Sequence, residues 1–339
     1  MLPKYRILCS LALTFALCVR FYPTLGAEFV YEDARLIPGA MASGTLIVPN
    51  TATDLMGRPL ARLSWWAQVR SGPGLLHATN IGLHLLAGLL LVAIARRLGA
   101  TEWAQWLAAV IFLLHPLTAE AVNYATGRSE LLAAVALLCA CLFVTTDLAW
   151  LAVPVLVLGV MSKESAVVGL IMLPLTLAAL RRWIWQQVAV VLGSATVVVL
   201  ACIYVAEARS LAPQPGWAMT QATYALRMVG LVLWPWGQQT VDHDLSQVPV
   251  IAVRAGLLLF AIGAVHAWSI RHRSPMLIYG LLLMAVAILP RFLVQPQSIG
   301  GFLNEHQFYP AFPGAVLALV GVVSPGAGGP PQLCEGERA

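Results

Sequence analysis

The sequence predicts an all-α integral membrane protein, a multi-pass bundle of helices. Of the 339 residues, 60% are hydrophobic and 10% are charged, whereas soluble domains average about 25% charged residues. The mean hydropathy is +0.81. The apolar runs are nearly continuous and lack the alternation of a membrane β-barrel, so helices are the expected spanning elements. This composition excludes a cytosolic enzyme and a disordered chain. The net charge of +5 comes from scattered basic pairs, which also excludes a nucleic-acid partner.

Apolar runs of about 20 residues can cross a bilayer, and shorter runs can do so inside a bundle. The sequence predicts about ten spans, at 7–25, 75–95, 102–115, 128–146, 148–161, 164–180, 184–206, 250–270, 275–293 and 311–324. Another apolar run, 224–236, is brief and ends in Trp-Pro-Trp, which predicts an interfacial or re-entrant segment. The six cysteines have no metal-ligand spacing and are predicted to be packing residues.

The basic residues predict the orientation of the chain. With a cytoplasmic N-terminus, short cytoplasmic loops collect basic pairs such as 96–97 and 181–182, as the positive-inside rule requires. The first extracytoplasmic loop, about 26–74, is then long. One membrane domain is expected to fill residues 1–324, and the Gly/Pro-rich segment 325–339 is expected to be a disordered tail.

Polar residues collect on the predicted extracytoplasmic face, which predicts that a functional site lies there. They form seven blocks, in chain order FVYED (29–33), GRPL (57–60), HATNIGLH (77–84), HPLTAEAVNYATGRSELL (115–132), SKES (162–165), LWPW (233–236) with DHD (242–244), and NEHQFYP (304–310).

These blocks resemble the membrane part of the transmembrane and tetratricopeptide-repeat O-mannosyltransferases and their bacterial relatives, from about residue 29 to 313. The segment 115–132 is the most specific part. The resemblance implies a GT-C fold, a polyprenyl-phosphate sugar donor and a site on the non-cytoplasmic side. For this chain it implies that a sugar such as mannose is transferred to a hydroxyl of a protein or glycan acceptor, with inversion. A bacterial inner membrane is the expected location.

The chain departs from the family pattern in three places. It has Glu32-Asp33 where the family usually has paired aspartates, and Glu305-His306-Gln307 where the family commonly has Glu-Arg before Tyr-Pro. The sequence contains no tetratricopeptide pattern.

Transfer from a polyprenyl phosphate breaks a sugar–phosphate bond, and the phosphate is already a good leaving group. The acceptor hydroxyl has a high pKa and therefore needs a base. The resemblance implies that the first-loop acidic pair supplies it, with Asp33 as the first choice and Glu32 beside it. The alternative is a solvated turn in which these acids pair with Arg35.

Fixed cations should stabilise the charge that develops on the departing phosphate. Arg128 and Lys163 are the candidate donor phosphate-binding residues, and Arg58 is a third. The alternative is that Arg128 pairs with Glu120 or Glu130, and Lys163 with Glu164, as structural ion pairs.

His77, Asn80 and His84 are spaced to share one face of a helix. Such a stripe can bind a metal, contact sugar hydroxyls or brace helix packing, and packing is the favoured interpretation. His115 is expected to end its span because Pro116 follows it. Substrate-binding or orienting roles are predicted for these histidines, for Asn80, and for Glu120, Glu130, Glu164, Asp242, Glu305, His306 and Tyr309.

Asp242, His243 and Asp244 carry atoms that suit a divalent metal, but adjacent residues alone rarely make a metal site. The lipid-linked sugar is therefore the expected ligand, and a metal is the less favoured addition. Two other functions stay open, a transporter or lipid-carrier flippase and an inactive scaffold with the same fold. The absence of two repeated halves argues against a transporter.

Overall fold

A computed structural model of the chain describes residues 3–29, 33, 58–68, 71–180, 189–190, 193, 217–235, 243–244, 274–293, 302–303 and 305–324. Its α-helices are α1 (Pro3–Leu25), α2 (Pro59–Trp66), α3 (Pro73–Arg97), α4 (Glu102–Leu114), α5 (Ala119–Asn123), α6 (Arg128–Phe143), α7 (Ala152–Ser162), α8 (Gly169–Ala179), α9 (Trp217–Leu233), α10 (Pro275–Ile288), α11 (Pro290–Leu293) and α12 (Phe312–Val323). Short 3-10 helices lie at Pro116–Thr118, Ala125–Gly127, Ala149–Leu151, Glu164–Val168 and Glu305–Phe308.

Several helices identify a membrane protein. Within the described residues, Arg6–Leu25, Pro73–Arg97 and Ala125–Phe143 are each long and apolar enough to cross a bilayer. Glu102–Leu114 and Pro116–Asn123 would make a fourth span if counted as one segment bent by 53°.

The predicted count of about ten spans is not supported. Four of the predicted spans contain apolar helices of only 10–17 residues, at Ala149–Ser162, Glu164–Ala179, Pro275–Ile288 and Phe312–Val323. The predicted break between two of these helices is observed at Lys163, whose backbone is extended, and each helix beside it is shorter than the roughly 20 residues that a full span needs. The predicted spans 184–206 and 250–270 lie almost wholly outside the described residues, as does the tail 325–339.

Helix α3 is the central span, and it packs on α4 and α6. Pro73 stands in its first turn, where a missing N–H costs nothing. Arg96 and Arg97 occupy the last turn, where positive charge favours the helix dipole. Gly99 then takes a φ of 80°, and the Ala100 N–H bonds the carbonyl of Ala95, so the helix ends in a left-handed glycine cap.

Helix α4 begins and ends at recognisable signals. The Thr101 hydroxyl accepts a hydrogen bond from the Ala104 N–H at its N-terminus. The predicted end at His115 is confirmed, because that residue is extended (φ −67°, ψ 131°) before Pro116.

Helices α10 and α12 approach each other closely. A Cβ atom at Gly280 would overlap the backbone of Gly314 and Ala318, and one at Gly321 would overlap the backbone of Leu277. Glycine therefore allows backbone-to-backbone packing, as at many helix contacts in membranes.

Residues 224–233 of the predicted interfacial run 224–236 belong to a longer helix than expected, α9, with 17 residues. Gln221 and Thr223 are buried on this helix. The first turns of α9 were not predicted from the sequence. Polar residues lower the average hydropathy of a segment whichever face of the helix they lie on. A two-residue antiparallel strand pair, His243–Asp244 with Phe302–Leu303, joins distant parts of the chain.

Candidate active site

Asp33, from the first loop, contacts the start of the helical segment that leads into α6. Its two carboxylate oxygens accept hydrogen bonds from the backbone N–H groups of Ala125 (2.6 Å) and Thr126 (2.8 Å). The indole N–H of Trp65 donates to the Ala125 carbonyl at 3.0 Å. Asp33 is 1% exposed. The first-loop acid therefore caps the turn Ala125–Gly127 across a separation of 92 residues.

Arg128 is the largest fully buried side chain of the described part. Its Nε donates to Asn80 Oδ1 at 3.0 Å, Nη1 to the Ser64 carbonyl at 2.9 Å, and Nη2 to the Leu76 carbonyl at 2.8 Å. Asn80 in turn donates to the Tyr124 carbonyl at 2.6 Å. Asp33 lies within electrostatic range of the guanidinium. Arg128 thus joins α2, α3 and α6, and each of its nitrogens already has a protein acceptor.

The other two predicted phosphate-binding cations lie against carboxylates. Lys163 forms an ion pair with Glu130. Arg58 binds Glu164 through two hydrogen bonds, from Nε to Oε2 (3.2 Å) and from Nη2 to Oε1 (3.0 Å). Burial lowers the pKa of the Lys163 ammonium, and the charge of Glu130 offsets part of that effect.

Glu120 holds the late polar block in place. Its Oε2 accepts the His306 backbone N–H at 2.7 Å, and its Oε1 lies 2.9 Å from His306 Nδ1. Glu305 is buried beside them in the 3-10 helix Glu305–Phe308. The segments 115–132 and 304–310 therefore meet, as their shared predicted face requires.

The three candidate histidines have different surroundings. His84 Nε2 lies 3.3 Å from the Leu113 carbonyl, so Nε2 carries the proton and Nδ1 accepts from the Tyr309 hydroxyl at 2.8 Å. His115 Nδ1 accepts the Leu117 N–H, and Nε2 donates to the Val232 carbonyl. His84 and His115 thus brace the fold.

His77 is buried but differs from the other two. Its ring packs near Phe29, with centroids 6.3 Å apart. Neither ring nitrogen makes a hydrogen bond of normal geometry in the described part of the chain, although backbone groups of Ala27 and Asn123 lie within interaction range.

Several predicted site residues cannot be placed. Glu32 and Asp242 lie outside the described residues, and His243 and Asp244 are described only as backbone in a strand. Among the described residues no group of three His, Cys, Asp or Glu side chains could hold a metal ion.

The structure adds polar residues that the sequence did not single out. Arg291 donates from Nε to Gln221 Oε1 at 2.9 Å, and its guanidinium lies 4.1 Å above the Tyr224 ring. Arg20, inside the first span, donates to the His115 carbonyl and to Thr118 Oγ1. An arginine within an apolar span is itself a signal of a polar partner, and it could have been found.

Together these contacts define a helical membrane protein with a buried network of charged side chains at one end. We call this the polar end, defined by Asp33, Asn80, Arg128, Lys163 and Glu305. A network of this kind holds carboxylates and cations in fixed positions, which suits the binding of a polar ligand and the stabilisation of developing charge.

Part of the chain is similar to two protein O-mannosyl-transferases of Drosophila melanogaster. It is 34% identical to Tmtc2 over 160 residues, which is 42% of this chain and 16% of that protein. It is 32% identical to Tmtc1 over 149 residues, 39% of this chain and 17% of that protein. The matches thus span less than a fifth of these relatives. No protein-family model matches the chain, and no solved structure does. The predicted relationship to O-mannosyltransferases is confirmed in part, over about 40% of the chain.

Proposed function

We propose that this chain is a multi-pass glycosyltransferase of the GT-C type. It transfers mannose from a polyprenyl-phosphate carrier to a hydroxyl of a protein or glycan acceptor, on the extracytoplasmic face of a bacterial inner membrane. The names of the two partial relatives support mannosyl transfer to protein, and the apolar helices support a membrane location.

The observation that carries this proposal is the convergence of the sequence blocks. Polar residues from segments 29–33, 57–60, 77–84, 115–132, 162–165 and 304–310 are joined by hydrogen bonds or ion pairs at the polar end. A scattered set of surface charges would not be linked in this way.

The reaction places two demands on such a site. The acceptor hydroxyl loses a proton as its oxygen attacks the anomeric carbon, and the sugar–phosphate bond breaks with its electrons passing to phosphate. A single displacement inverts the anomeric centre. Because the phosphate is a good leaving group, its charge needs fixed cations more than a proton donor.

The acidic pair Glu32-Asp33 is the proposed source of the base. Asp33 is fixed by two amide hydrogen bonds, and a carboxylate with about four acceptor positions keeps capacity for a substrate hydroxyl. This fixed position supports a role in orienting the hydroxyl.

Lys163 and Arg58 are the proposed phosphate-facing cations. Both are partly exposed, with 12% and 28% of their side chains accessible, and both are already oriented by carboxylates. Arg128 is fully buried, so we propose that it positions α3 and α6 and acts on the phosphate only through the field of its charge.

The test uses the purified full-length chain in nanodiscs, radiolabelled polyprenyl-phosphate mannose and a mixture of protein acceptors. The wild type should transfer label, and Asp33→Asn should lower the rate by about 100-fold or more while the protein stays folded. Asp147→Asn is the matched control, because Asp147 is an exposed aspartate after α6.

Two results would overturn the proposal. Absence of transfer by a wild type that still binds the donor would favour an inactive scaffold. Wild-type rates in Asp33→Asn and in Glu32→Gln would remove the acidic pair from the reaction.

A further inference from the structure

Apart from the ring nitrogens of His77, three buried polar atoms at the polar end have no hydrogen-bond partner within the described residues. They are Gln221 Nε2, Glu130 Oε2 and Ser165 Oγ. Burial of such atoms without partners is unfavourable, so each one calls for an explanation. Together they offer one amide donor, one carboxylate acceptor and one hydroxyl that can do either.

The direction of the Gln221 amide is fixed by Arg291. Arginine can only donate hydrogen bonds, so the amide oxygen must face the Arg291 Nε atom at 2.9 Å. The NH2 group of Gln221 therefore points away from the guanidinium. The stacking of Arg291 on Tyr224, at 4.1 Å, holds this arrangement in place.

The three atoms come from segments that pack together. Ser165 belongs to the 3-10 helix Glu164–Val168, which contacts both α6, carrying Glu130, and α11, carrying Arg291. Helix α9, carrying Gln221, packs on α11. Glu130 also lies within electrostatic range of Tyr224, one turn along α9 from Gln221.

We propose that Gln221, Glu130 and Ser165 form a subsite for the hydroxyl groups of a sugar, an inference that rests on the proposed function. A phosphate presents only acceptors, so it would satisfy the Gln221 NH2 group and leave the Glu130 carboxylate oxygen unpaired. A sugar hydroxyl both donates and accepts, and a pair of hydroxyls can satisfy the amide, the carboxylate and the serine together. The mixture of donors and acceptors therefore favours a polyol over an anion.

Ser165→Ala gives the sharpest test. Because Ser165 Oγ has no partner in the described part of the chain, its removal should leave the thermal stability unchanged or slightly higher. It should weaken binding of polyprenyl-phosphate mannose by about five- to tenfold, the effect of one lost hydrogen bond. Binding of polyprenyl phosphate without sugar should not change. Ser162→Ala is the matched control, because the Ser162 hydroxyl already bonds the Leu158 carbonyl.

Gln221→Met is the second variant, since methionine keeps the length of the side chain and removes the NH2 donors. It also removes the acceptor of the Arg291 Nε atom, so its thermal stability is measured alongside its binding. It should show the same selective loss for the sugar-bearing lipid. Gln105→Met is its control, because the Gln105 amide already donates to the Ala100 carbonyl.

The outcomes separate the two proposals. Selective loss of affinity for the sugar-bearing lipid in both variants supports the subsite. Equal affinities in wild type and variants, or equal losses for both lipids, overturn the subsite and leave the proposed function standing. A wild type that binds neither lipid overturns the proposed function, and the subsite with it.

Discussion

The two ends of the helical bundle hold their charges in different ways. At the polar end, Arg128 is fully buried and bonds two other helices, and Asp33 is buried against backbone amides. At the opposite end, where α1 and α4 begin, Arg6 pairs with Glu102 while 57% and 31% of their side chains remain exposed. The buried charges at the polar end therefore contribute to the packing of the fold, whereas the Arg6–Glu102 pair is a surface contact.

This difference predicts that loss of a charge will lower stability more at the polar end than at the opposite end. An exposed ion pair exchanges its partners for water at little cost. In a buried network, water cannot replace a lost partner. Removal of one member therefore leaves the polar groups around it without hydrogen bonds. Three pairs of variants, each with one member at each end, test whether buried and exposed charges differ in this way.

The largest effect is expected for Arg128→Ala. It would leave Asn80 Oδ1 and the carbonyls of Ser64 and Leu76 without their donor, and it should lower the free energy of unfolding by about 3 to 5 kcal/mol. Arg6→Ala should have a much smaller effect. Thermal unfolding of the two variants in the same detergent makes the comparison.

Arg128→Lys sharpens this result. Lysine keeps the charge but lacks the planar fork, so most of the stability should still be lost. If Arg128→Ala melted like Arg6→Ala and only donor binding fell, Arg128 would be a phosphate ligand and our assignment would be wrong.

A smaller effect is expected for Asp33→Ala, compared with Thr101→Ala at the opposite end. Asp33 accepts hydrogen bonds from two amides, so its removal should lower the free energy of unfolding by about 2 to 3 kcal/mol. Thr101 accepts from one amide at 3.3 Å, so its removal should lower the free energy of unfolding by about 1 kcal/mol or less. Equal shifts of the unfolding midpoint would mean that burial adds nothing at the polar end.

The smallest effect is expected for Tyr309→Phe. It removes the hydroxyl that pairs with His84 Nδ1 in a buried position and should cost about 1 kcal/mol. Ser324→Ala at the opposite end loses a 3.4 Å contact with Thr101 and should leave the unfolding midpoint unchanged. A shift in Ser324→Ala that matched Tyr309→Phe would contradict the contrast.

Sequence patterns predicted long helices well. The runs 75–95 and 128–146 correspond to Pro73–Arg97 and Arg128–Phe143, because a long apolar stretch in a membrane has few alternatives to a helix. Short apolar runs such as 148–161 were less informative. Composition does not distinguish a span from a short helix that packs inside the bundle.

The sequence predicted that the polar blocks share one face but not which side chains meet. The blocks 115–132 and 304–310 do meet, through Glu120 and His306, which are 186 residues apart, but this pair was not predicted. The bond from Asp33 to the amides of Ala125 and Thr126 could not be foreseen, because backbone groups carry no sequence signal. Gln221 was missed because one amide within an apolar helix is also compatible with ordinary packing.

The contact of glycine backbones between α10 and α12 has a mechanical consequence. The two helix backbones touch at Gly280 and Gly314. Sliding or rotation of one helix against the other would cause a steric clash, so we expect the pair to move as one rigid unit. The extended residues His115 and Lys163 interrupt the helices on either side of them, so we expect larger relative motion of helices there than between α10 and α12.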